Sequence, residues 1–401
     1  MSEGDLVLRI AGRGDGLTAS GRYVPLTAPG DLVLADGSIV PGPNHVDPPC
    51  RHFPVCGGCQ LQHVDDAVFA DFITGRIARA LAAQGLDAPE IRLPHISPPH
   101  SRRRVSMRAE RRGKRVLLGF NEEGSHRIVD LAQCEIMAPA LFALVAPLRA
   151  LLGELVADRR AADVQMTLAD QGVDLLLGKV ETDGLARAER LTVFAQSHGL
   201  ARLMVDEGYG PEARWEPDAV TITLGGVAVP LPPAAFLQAT PDGEAALVAA
   251  TCEAAGDAKI VADLFSGLGT FALPLAGRGA RVYAAEGARD AVLALKAGAG
   301  RAGRTLFVEH RDLFRRPLAP AELDRFDAII LDPPRAGAKE QAVQLAASQV
   351  RRIVYASCNP ATFARDAKAL VDGGYRLDWI APVGQFRWST HIELVVRFTR
   401  S

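Results

Sequence analysis

The sequence lacks an apolar run long enough to cross a membrane. The longest candidate, Leu141–Val156, is interrupted by Pro147 and Arg149, whereas a spanning helix needs about 20 predominantly apolar residues. The acidic start, Met1–Asp5, lacks the basic and apolar segments of a signal peptide. We therefore expect a cytoplasmic protein with no membrane partner.

The sequence also has few cysteines and little net charge. Six cysteines in 401 residues are too few for a disulfide scaffold, so clustered ones indicate a metal or catalysis. The net charge of -2 does not favour a polyanionic partner, but basic residues segregated on one face would still bind one. Hydrophobic residues make up 48% of the chain, and its length predicts two or three domains.

Short β-type segments separated by glycine-rich turns occupy the start of the chain. Leu6–Ile10, Arg22–Leu26 and Asp31–Leu34 alternate with such turns, which predicts a small barrel or hairpin module. The order of the turns resembles the TRAM RNA-binding module, an OB-like β-barrel. We assign residues 1–46 to this TRAM-like barrel, with a β cap that binds no ligand as the alternative.

Three cysteines lie close together after this module. Cys50, Cys56 and Cys59 are separated by five and two residues, and thiols at this spacing converge on one metal centre. Cys134 is the candidate fourth ligand. Four thiolates suit either an iron-sulfur cluster or tetrahedral zinc, and the cysteine count does not choose between them.

Basic residues are concentrated after a predicted helix, Asp66–Gly85. Between Arg102 and Arg127 they outnumber acidic residues by nine to three, as expected of a phosphate-binding surface, although most charge runs are solvated faces. This basic strip consists of Arg102, Arg103, Arg104, Arg108, Arg111, Arg112, Lys114, Arg115 and Arg127. The apolar residues Val116–Phe120 predict a β hairpin that carries the charges.

Less distinctive segments complete the central part of the chain. Residues Ala138–Arg160 predict one or two helices, and Val164–Leu177 and Arg202–Val205 predict further strands. The prolines of Pro230–Pro233 indicate a linker. We therefore place a central α+β domain at residues 47–229 and a third domain at residues 230–401.

The third domain alternates strands with helices. Predicted strands Ile260–Leu264, Phe326–Leu331 and Ile353–Ala356 are each followed by polar, turn-forming residues. This pattern predicts an α/β domain with a mostly parallel, doubly wound sheet, in which ligands bind at the carboxyl ends of the strands. Cys358 follows the last of these strands and is a candidate nucleophile, with an inert buried cysteine as the equal alternative.

A glycine turn after the first of these strands predicts a nucleotide cofactor. The turn Gly267–Gly269 allows close backbone approach, and Glu286 lies at the distance from it that suits ribose recognition. The turn alone also fits a dinucleotide, so a plain NAD-dependent oxidoreductase is an alternative. Asp263 before the turn and the later Asp332–Pro334 favour S-adenosylmethionine.

The carboxyl-terminal part resembles the RNA uracil-5-methyltransferases. Together with the four cysteines and the TRAM-like start, the resemblance covers nearly the whole chain and implies a Rossmann-like class I methyltransferase domain. Ser357–Pro360 after Asp332–Arg335 is its most specific part. The matching segments are Phe236–Gln238, Asp263–Phe271, Glu286, Arg311–Leu313, Asp332–Arg335, Ser357–Pro360, Thr362, Asp366 and His391–Glu393.

The resemblance implies roles for several of the matching residues. Cys358 would add to carbon 6 of uracil, and Glu393 would remove the proton from carbon 5 after methyl transfer. Alternation of apolar residues from Ile392 to Phe398 leaves Glu393 on the opposite face of its strand, and in this fold the last strand runs antiparallel. The implied cofactor contacts are Gln238, Phe265, Thr270, Glu286, Asp312 and Asp332. The implied ligands of a 4Fe-4S cluster are Cys50, Cys56, Cys59 and Cys134.

A few positions depart from the family pattern. Thr240 and Thr270 stand where asparagine is frequent, and Lys296–Gly300 replaces a common Asn-Ala pair. His391 is expected to pack or to orient its loop. Cys252, among alanines at helical spacing, is expected in the core.

We therefore predict a monomeric enzyme that methylates carbon 5 of a uridine in RNA, with 23S rRNA preferred as the substrate. A tRNA substrate is the first alternative. An amino-group methyltransferase would also use Asp332–Pro334 but would form no covalent adduct. A non-enzymatic iron-sulfur protein that binds RNA or senses redox state is the alternative from another class, and it predicts that Cys358 is dispensable.

Overall fold

The computed structural model describes residues 4–400. The acidic start Met1–Glu3 and the final residue lie outside this range. The chain forms two compact units, the first comprising residues up to Phe72, Pro98–Val220 and Phe386–Thr390, and the second the remaining segments. No helix within residues 4–400 combines the length and apolarity needed to span a membrane.

Strands and helices are numbered in chain order over residues 4–400. The strands are β1 (Asp5–Ile10), β2 (Gly16–Thr18), β3 (Tyr23–Val24), β4 (Leu32–Val33), β5 (Ile39–Val40), β6 (Glu90–Ile91), β7 (His95–Ile96), β8 (Arg104–Arg112), β9 (Arg115–Gly119), β10 (Ala161–Ala169), β11 (Gly172–Gly178), β12 (Arg202–Asp206), β13 (Pro211–Trp215), β14 (Thr221–Leu224), β15 (Val227–Pro230), β16 (Ile260–Leu264), β17 (Arg281–Glu286), β18 (Leu306–His310), β19 (Ala328–Leu331), β20 (Arg352–Ser357), β21 (Arg376–Gly384) and β22 (Glu393–Thr399). The helices are α1 (Asp66–Ala82), α2 (Pro139–Phe142), α3 (Val145–Leu155), α4 (Leu185–Ser197), α5 (Pro241–Ala255), α6 (Ala272–Gly277), α7 (Arg289–Arg301), α8 (Pro320–Leu323), α9 (Lys339–Ala346) and α10 (Pro360–Asp372).

The first unit begins with a small antiparallel sheet. Its strands are ordered β3-β2-β1-β4-β5, and each neighbouring pair is antiparallel. A register shift between Val7 and Arg9 bends β1. The predicted β module is therefore confirmed as a curled half-barrel, whereas no strand pairing among residues 4–400 closes it into the predicted barrel.

A second sheet carries the hydrophobic core of the first unit. Its order is β13-β12-β11-β10-β8-β9, and helix α3 buries Leu148, Leu151 and Leu152 in the same core. The predicted hairpin is confirmed, since β8 and β9 pair up to Arg112 and Arg115. The stretch predicted to hold one or two helices contains two, α2 and α3.

The second unit is built on a large, mostly parallel sheet. Its order is β18-β17-β16-β19-β20-β22-β21-β6, with β7 also paired to β21. The five strands β18, β17, β16, β19 and β20 are parallel to one another, whereas β22 is antiparallel to both of its neighbours. The predicted doubly wound arrangement and the antiparallel last strand are confirmed. Strand β22 lies between β20 and β21, and residues on both of its faces are buried.

Two departures from the family pattern have structural reasons. Thr240 caps α5, because its Oγ1 accepts a hydrogen bond from the Gly243 N–H at 3.1 Å, and threonine and asparagine both serve as N-caps. Gly298 in α7 faces Val229, and a Cβ atom at Gly298 would lie 3.0 Å from a Val229 methyl group. The glycine therefore lets α7 pack closely on β15.

The compact units divide the chain differently from the predicted boundaries at 46/47 and 229/230. Segment Ile73–Ser97 belongs to the second unit because β6 and β7 pair with β21. The hairpin β14–β15, most of which lies before the predicted boundary at 229/230, also belongs to the second unit. The predicted linker Pro230–Pro233 therefore lies inside the segment Thr221–Gln385 of the second unit.

Candidate active site

The carboxyl ends of three neighbouring parallel strands bring the predicted functional segments together. Leu264 of β16 pairs with Leu331 of β19, which pairs with Tyr355 of β20. The residues that follow these strands therefore lie at one sheet edge. This edge holds the glycine turn, the segment Asp332–Arg335 and the loop with Cys358.

The loop that carries Cys358 is tied to the neighbouring loop by hydrogen bonds. The backbone oxygen of Arg335 accepts bonds from Asn359 Nδ2 and Thr362 Oγ1, each at 3.0 Å. Asn359 also caps α10, since its Oδ1 accepts from the Ala361 N–H at 3.1 Å. Cys358 therefore directly precedes a helix N-terminus, where the helix dipole favours a thiolate.

The antiparallel last strand places Glu393 beside this loop. Ser357 of β20 pairs with Leu394 of β22, so one further step of the register sets Glu393 opposite Cys358. Glu393 is buried, with 6% exposure, while Cys358 is half-buried. The two predicted catalytic side chains thus lie together at the sheet edge.

Burial and neighbouring charges favour the neutral forms of both groups. Burial, with the Glu393 and Asp332 carboxyls nearby, raises the pKa of the Cys358 thiol to about 11. Burial and Asp332 raise the pKa of Glu393 to about 8. The Arg335 guanidinium acts in the opposite direction on both groups. Groups whose pKa values are shifted this strongly by burial and by neighbouring charges are typical of active sites.

The glycine turn and Glu286 form a rigid polar corner of the site. The Glu286 carboxylate accepts hydrogen bonds from the Gly267 N–H at 2.9 Å and from the Ala288 N–H at 2.7 Å. Phe265, just before the turn, has a φ of 65°, a costly conformation for a bulky residue that is found mostly at functional sites. Its ring packs on Phe314.

Three carboxyl groups converge beside this corner. Asp263 is fully buried, and burial together with Asp332 and Glu286 raises its pKa well above the usual range. Burial and Glu286 raise the pKa of Asp332 to about 7. The buried Ser266 hydroxyl has no hydrogen-bond partner among residues 4–400. Such acids and an unsatisfied hydroxyl fit a cationic ligand with polar groups, and S-adenosylmethionine carries both an ammonium and a sulfonium.

The other predicted cofactor residues differ in their surroundings. Gln238 is buried, and its Oε1 accepts a hydrogen bond from Gln385 Nε2 at 2.6 Å. Asp312 is exposed, and its Oδ1 accepts from the backbone N–H groups of Phe314 and Arg315, as in a turn-capping aspartate. Thr270 is half-buried at the end of the glycine turn. His391 is exposed, and Cys252 is buried in α5 as expected.

In the first unit, the four predicted metal-binding cysteines line one cavity of about 310 Å³. Cys50 and Cys59 are buried, whereas Cys56 and Cys134 are half-buried. Burial raises the pKa of Cys59 to about 12. No group of three or more His, Cys, Asp or Glu side chains in the described range 4–400 has the arrangement of a metal site.

The surroundings of the cavity nevertheless suit thiolate ligands. Backbone N–H groups of Ile136 and Met137 donate to the Cys134 sulfur, and such bonds stabilise cluster thiolates. The guanidinium of the half-buried Arg102 lies near Cys59 and Cys134 and over the Phe386 ring. Its positive charge would offset the negative charge of the thiolates, so the lining of the cavity suits a group held through cysteine sulfur.

The basic strip is less uniform than its sequence. Arg103 is buried, and several exposed members form ion pairs with nearby acids. Arg108 pairs with Asp163, Arg112 with Glu110, Arg115 with Asp130 and Arg127 with Glu122. The strip therefore presents a weaker field than the excess of basic residues indicates.

Sequence reasoning missed Gln385 and gave Arg335 no role. Gln385 is a buried polar residue directly after β21. The available signal was its place after a mostly apolar strand, as for Asp332. Neither β21 nor the short strands β6 and β7 that pair with it were predicted, so this position was not recognised as part of the sheet.

The fold and the site define an S-adenosylmethionine-dependent methyltransferase of class I. The tRNA (uracil-54, C5)-methyltransferase of Pyrococcus abyssi, solved in complex with S-adenosyl-L-homocysteine, has the same fold. Its TM-score is 0.76 at 22% identity, over 98% of this chain and 99% of that one.

Sequence comparison gives the family. Residues 305–401 match the family model for tRNA (Uracil-5-)-methyltransferase. An uncharacterized RNA methyltransferase of Zymomonas mobilis is 54% identical over 98% of this chain and 99% of its own length. The 23S rRNA (uracil(1939)-C(5))-methyltransferase RlmD of Thiobacillus denitrificans is 34% identical over 90% of this chain and 87% of its own. This chain belongs to the RNA uracil-5-methyltransferase family, which confirms the resemblance and the predicted enzyme class.

Proposed function

We propose that this protein methylates carbon 5 of a uridine in RNA through a covalent bond between Cys358 and the uracil. The observation that carries the proposal is the register of β20 and β22, which sets a thiol and a buried carboxyl side by side. An amino-group methyltransferase needs neither a thiol nor a second carboxyl at this edge. Methylation of uracil at carbon 5 needs both groups, the thiol as a nucleophile and the carboxylate as a base.

Cys358 overcomes the poor nucleophilicity of carbon 5. Its thiolate adds to carbon 6, and the resulting enolate makes carbon 5 nucleophilic. Bound S-adenosylmethionine supplies the electrophilic methyl group. Arg335 and the N-terminus of α10 favour the thiolate against the burial that keeps Cys358 protonated.

Glu393 completes the reaction as a general base. It removes the proton from carbon 5, the electrons of that bond form the 5,6 double bond, and the carbon–sulfur bond breaks to release the thiolate. Its raised pKa of about 8 makes the carboxylate a stronger base than an exposed glutamate. Gln238, Phe265, Thr270, Glu286, Asp312 and Asp332 are the proposed cofactor contacts.

We further propose 23S rRNA as the substrate, with the uridine in a loop or flipped out of its helix so that the thiol can reach it. The Thiobacillus denitrificans relative that is named for 23S rRNA supports this choice, and its similarity extends over 90% of this chain. A tRNA substrate is the second candidate, since the matching family model carries a tRNA name. The protein is proposed to act as a monomer, with the TRAM-like sheet of the first unit contributing to RNA binding.

We also propose that Cys50, Cys56, Cys59 and Cys134 hold a 4Fe-4S cluster with a structural role, since methyl transfer requires no electron transfer. The cavity they share and the nearby Arg102 support it. Each Cys→Ser change should lower the iron content of anaerobically purified protein, whereas Cys252→Ser should not. Iron-free wild type with normal stability and RNA affinity would contradict this role.

The reaction is tested by incubating the protein with labelled S-adenosylmethionine and either 23S rRNA or tRNA transcripts, followed by digestion to nucleosides. We expect labelled 5-methyluridine, mainly from 23S rRNA. Label in 5-methylcytidine or methyladenosine instead would refute the reaction. Label in 5-methyluridine mainly from tRNA would change only the substrate.

A further inference from the structure

Gln385 lies next to the proposed base although it belongs to no motif. Val383 of β21 pairs directly with Glu393 of β22, and opposed residues of antiparallel strands share a face. Gln385 is two positions beyond Val383, so its side chain lies on that same face. It is 2% exposed, and its amide lies close enough to the Glu393 carboxyl to lower the pKa of that group against the effect of burial.

The hydrogen bonds of Gln385 fix the orientation of its amide. Its Oε1 accepts from the Ala239 N–H at 2.7 Å, so its nitrogen must face the other way. Nε2 donates to Gln238 Oε1 at 2.6 Å. An amide nitrogen has two hydrogens. One serves Gln238, which leaves the second for the neighbouring Glu393 carboxyl.

Helix α5 begins with a cradle for this side chain. A Cβ atom at Gly243 would lie 2.6 Å from Gln385 Cβ and 2.6 Å from Thr240 Oγ1. The glycine in the first turn of α5 therefore leaves the space that Gln385 fills. The helix start, the strand end and Gln385 form one packed unit with little freedom to move.

We infer that Gln385 is a positioning residue, which holds the Glu393 carboxylate toward the reacting base and joins it to the cofactor residue Gln238. The inference rests on the proposed function. Gln385 acts on Glu393 and not on the substrate. It donates a hydrogen bond that the ionised form of Glu393 accepts more strongly than the neutral form.

The other groups around Glu393 make this bond important. Asp332, and Cys358 when ionised, oppose a negative charge there, whereas Arg335 favours it. Glu393 must be ionised before it can take the proton from carbon 5. Without the amide donor, Arg335 would be the remaining group in this set that favours the carboxylate.

The test replaces Gln385 with methionine, which has a similar volume and no donor. The acid limb of the pH–rate profile for 5-methyluridine formation should move up by about one pH unit, the size of a lost hydrogen bond to a charged group. At pH 7 the rate should fall about ten-fold, and at pH 9 it should recover. The methylated covalent RNA adduct should accumulate at pH 7, because its breakdown needs the base.

Gln341→Met is the matched control. Gln341 is also a buried glutamine, and its amide bonds to the backbone of Leu318, so its loss should leave the acid limb unchanged. Gln385→Glu is a second variant of similar volume that adds a like charge, and it should move the acid limb further upward.

The inference is overturned if Gln385→Met keeps the wild-type pH midpoint, or loses activity equally at every pH. Both outcomes are distinct from a failure of the proposed function. That failure would show as an absence of 5-methyluridine with the wild-type protein.

Discussion

Glu393 and Asp332 share a setting that disfavours their charged forms. Burial raises their pKa values to about 8 and about 7, respectively, above those of the unfolded chain. The folded protein therefore binds the proton of each carboxyl more tightly than the unfolded chain does, and the resulting contribution to stability is fully present at acidic pH. This contribution is lost as the pH rises from about 4 through the folded-state pKa values.

Glu393→Gln should remove part of this pH dependence. The free energy of unfolding of the wild type should fall between pH 5 and pH 9, and that of the variant should fall less, by on the order of 3 kcal/mol. Denaturant titrations at the two pH values measure this. An equal fall in both proteins would refute the raised pKa.

Glu286→Gln should weaken binding at the proposed cofactor site. The carboxylate accepts two backbone hydrogen bonds at once, and an amide can accept at only one of its two ends. We expect about ten-fold weaker binding of S-adenosylmethionine by calorimetry, since bonds to a charged acceptor contribute about 1.5–3 kcal/mol.

Glu309→Gln is the control for this change. Glu309 lies on the neighbouring strand β18 and accepts a bond from the Tyr283 hydroxyl. Cofactor affinity should stay at the wild-type value in this variant. A comparable loss in both variants would mean that Glu286 has no specific role.

Among the elements, the parallel strands of the second unit were the most predictable. Strand β16 matches its predicted bounds, and β20 differs by one residue at each end, because strands buried on both faces are continuous apolar runs. Asp263, Asp332 and Cys358 could therefore be placed at one edge from sequence.

Other elements could not be predicted for physical reasons. Strands β6 and β7 have two residues each, too few to show any periodicity, and they exist because β21 offers an unpaired edge. The orientation of the Gln385 amide depends on a backbone N–H 146 residues away. Pairing of the basic strip with acids such as Asp163 and Asp130 also depends on contacts distant in sequence.

Helix α5 offers a test of the family departure at Thr240. Thr240→Ala should lower the free energy of unfolding by about 1 kcal/mol through loss of the N-cap, whereas Thr240→Asn should preserve it. Thermal unfolding of both variants measures the difference. Equal stability of all three proteins would show that the cap contributes nothing.

For the whole molecule, the charge distribution limits how RNA is bound. The net charge is -2, and four members of the basic strip are paired with acids. A uniform positive surface therefore cannot supply most of the affinity. Local contacts around an accessible uridine must contribute a larger share.

This charge distribution predicts a moderate salt dependence. Affinity for RNA should fall by less than about 10³-fold between 50 and 200 mM salt, below the loss expected for six to ten phosphate contacts. Filter binding over this range measures it. A steeper loss would mean that the paired arginines exchange their carboxylates for phosphates.

The central claim is that Cys358 bonds covalently to carbon 6 of a uridine and that Glu393 later releases it. The most direct measurement is trapping on RNA that contains 5-fluorouridine, whose fluorine cannot leave as a proton does, in the presence of S-adenosylmethionine. The wild type should form an RNA–protein complex that survives denaturing electrophoresis, and Cys358→Ser should form none. A complex of equal yield in both proteins, or none with an active wild type, would contradict the account.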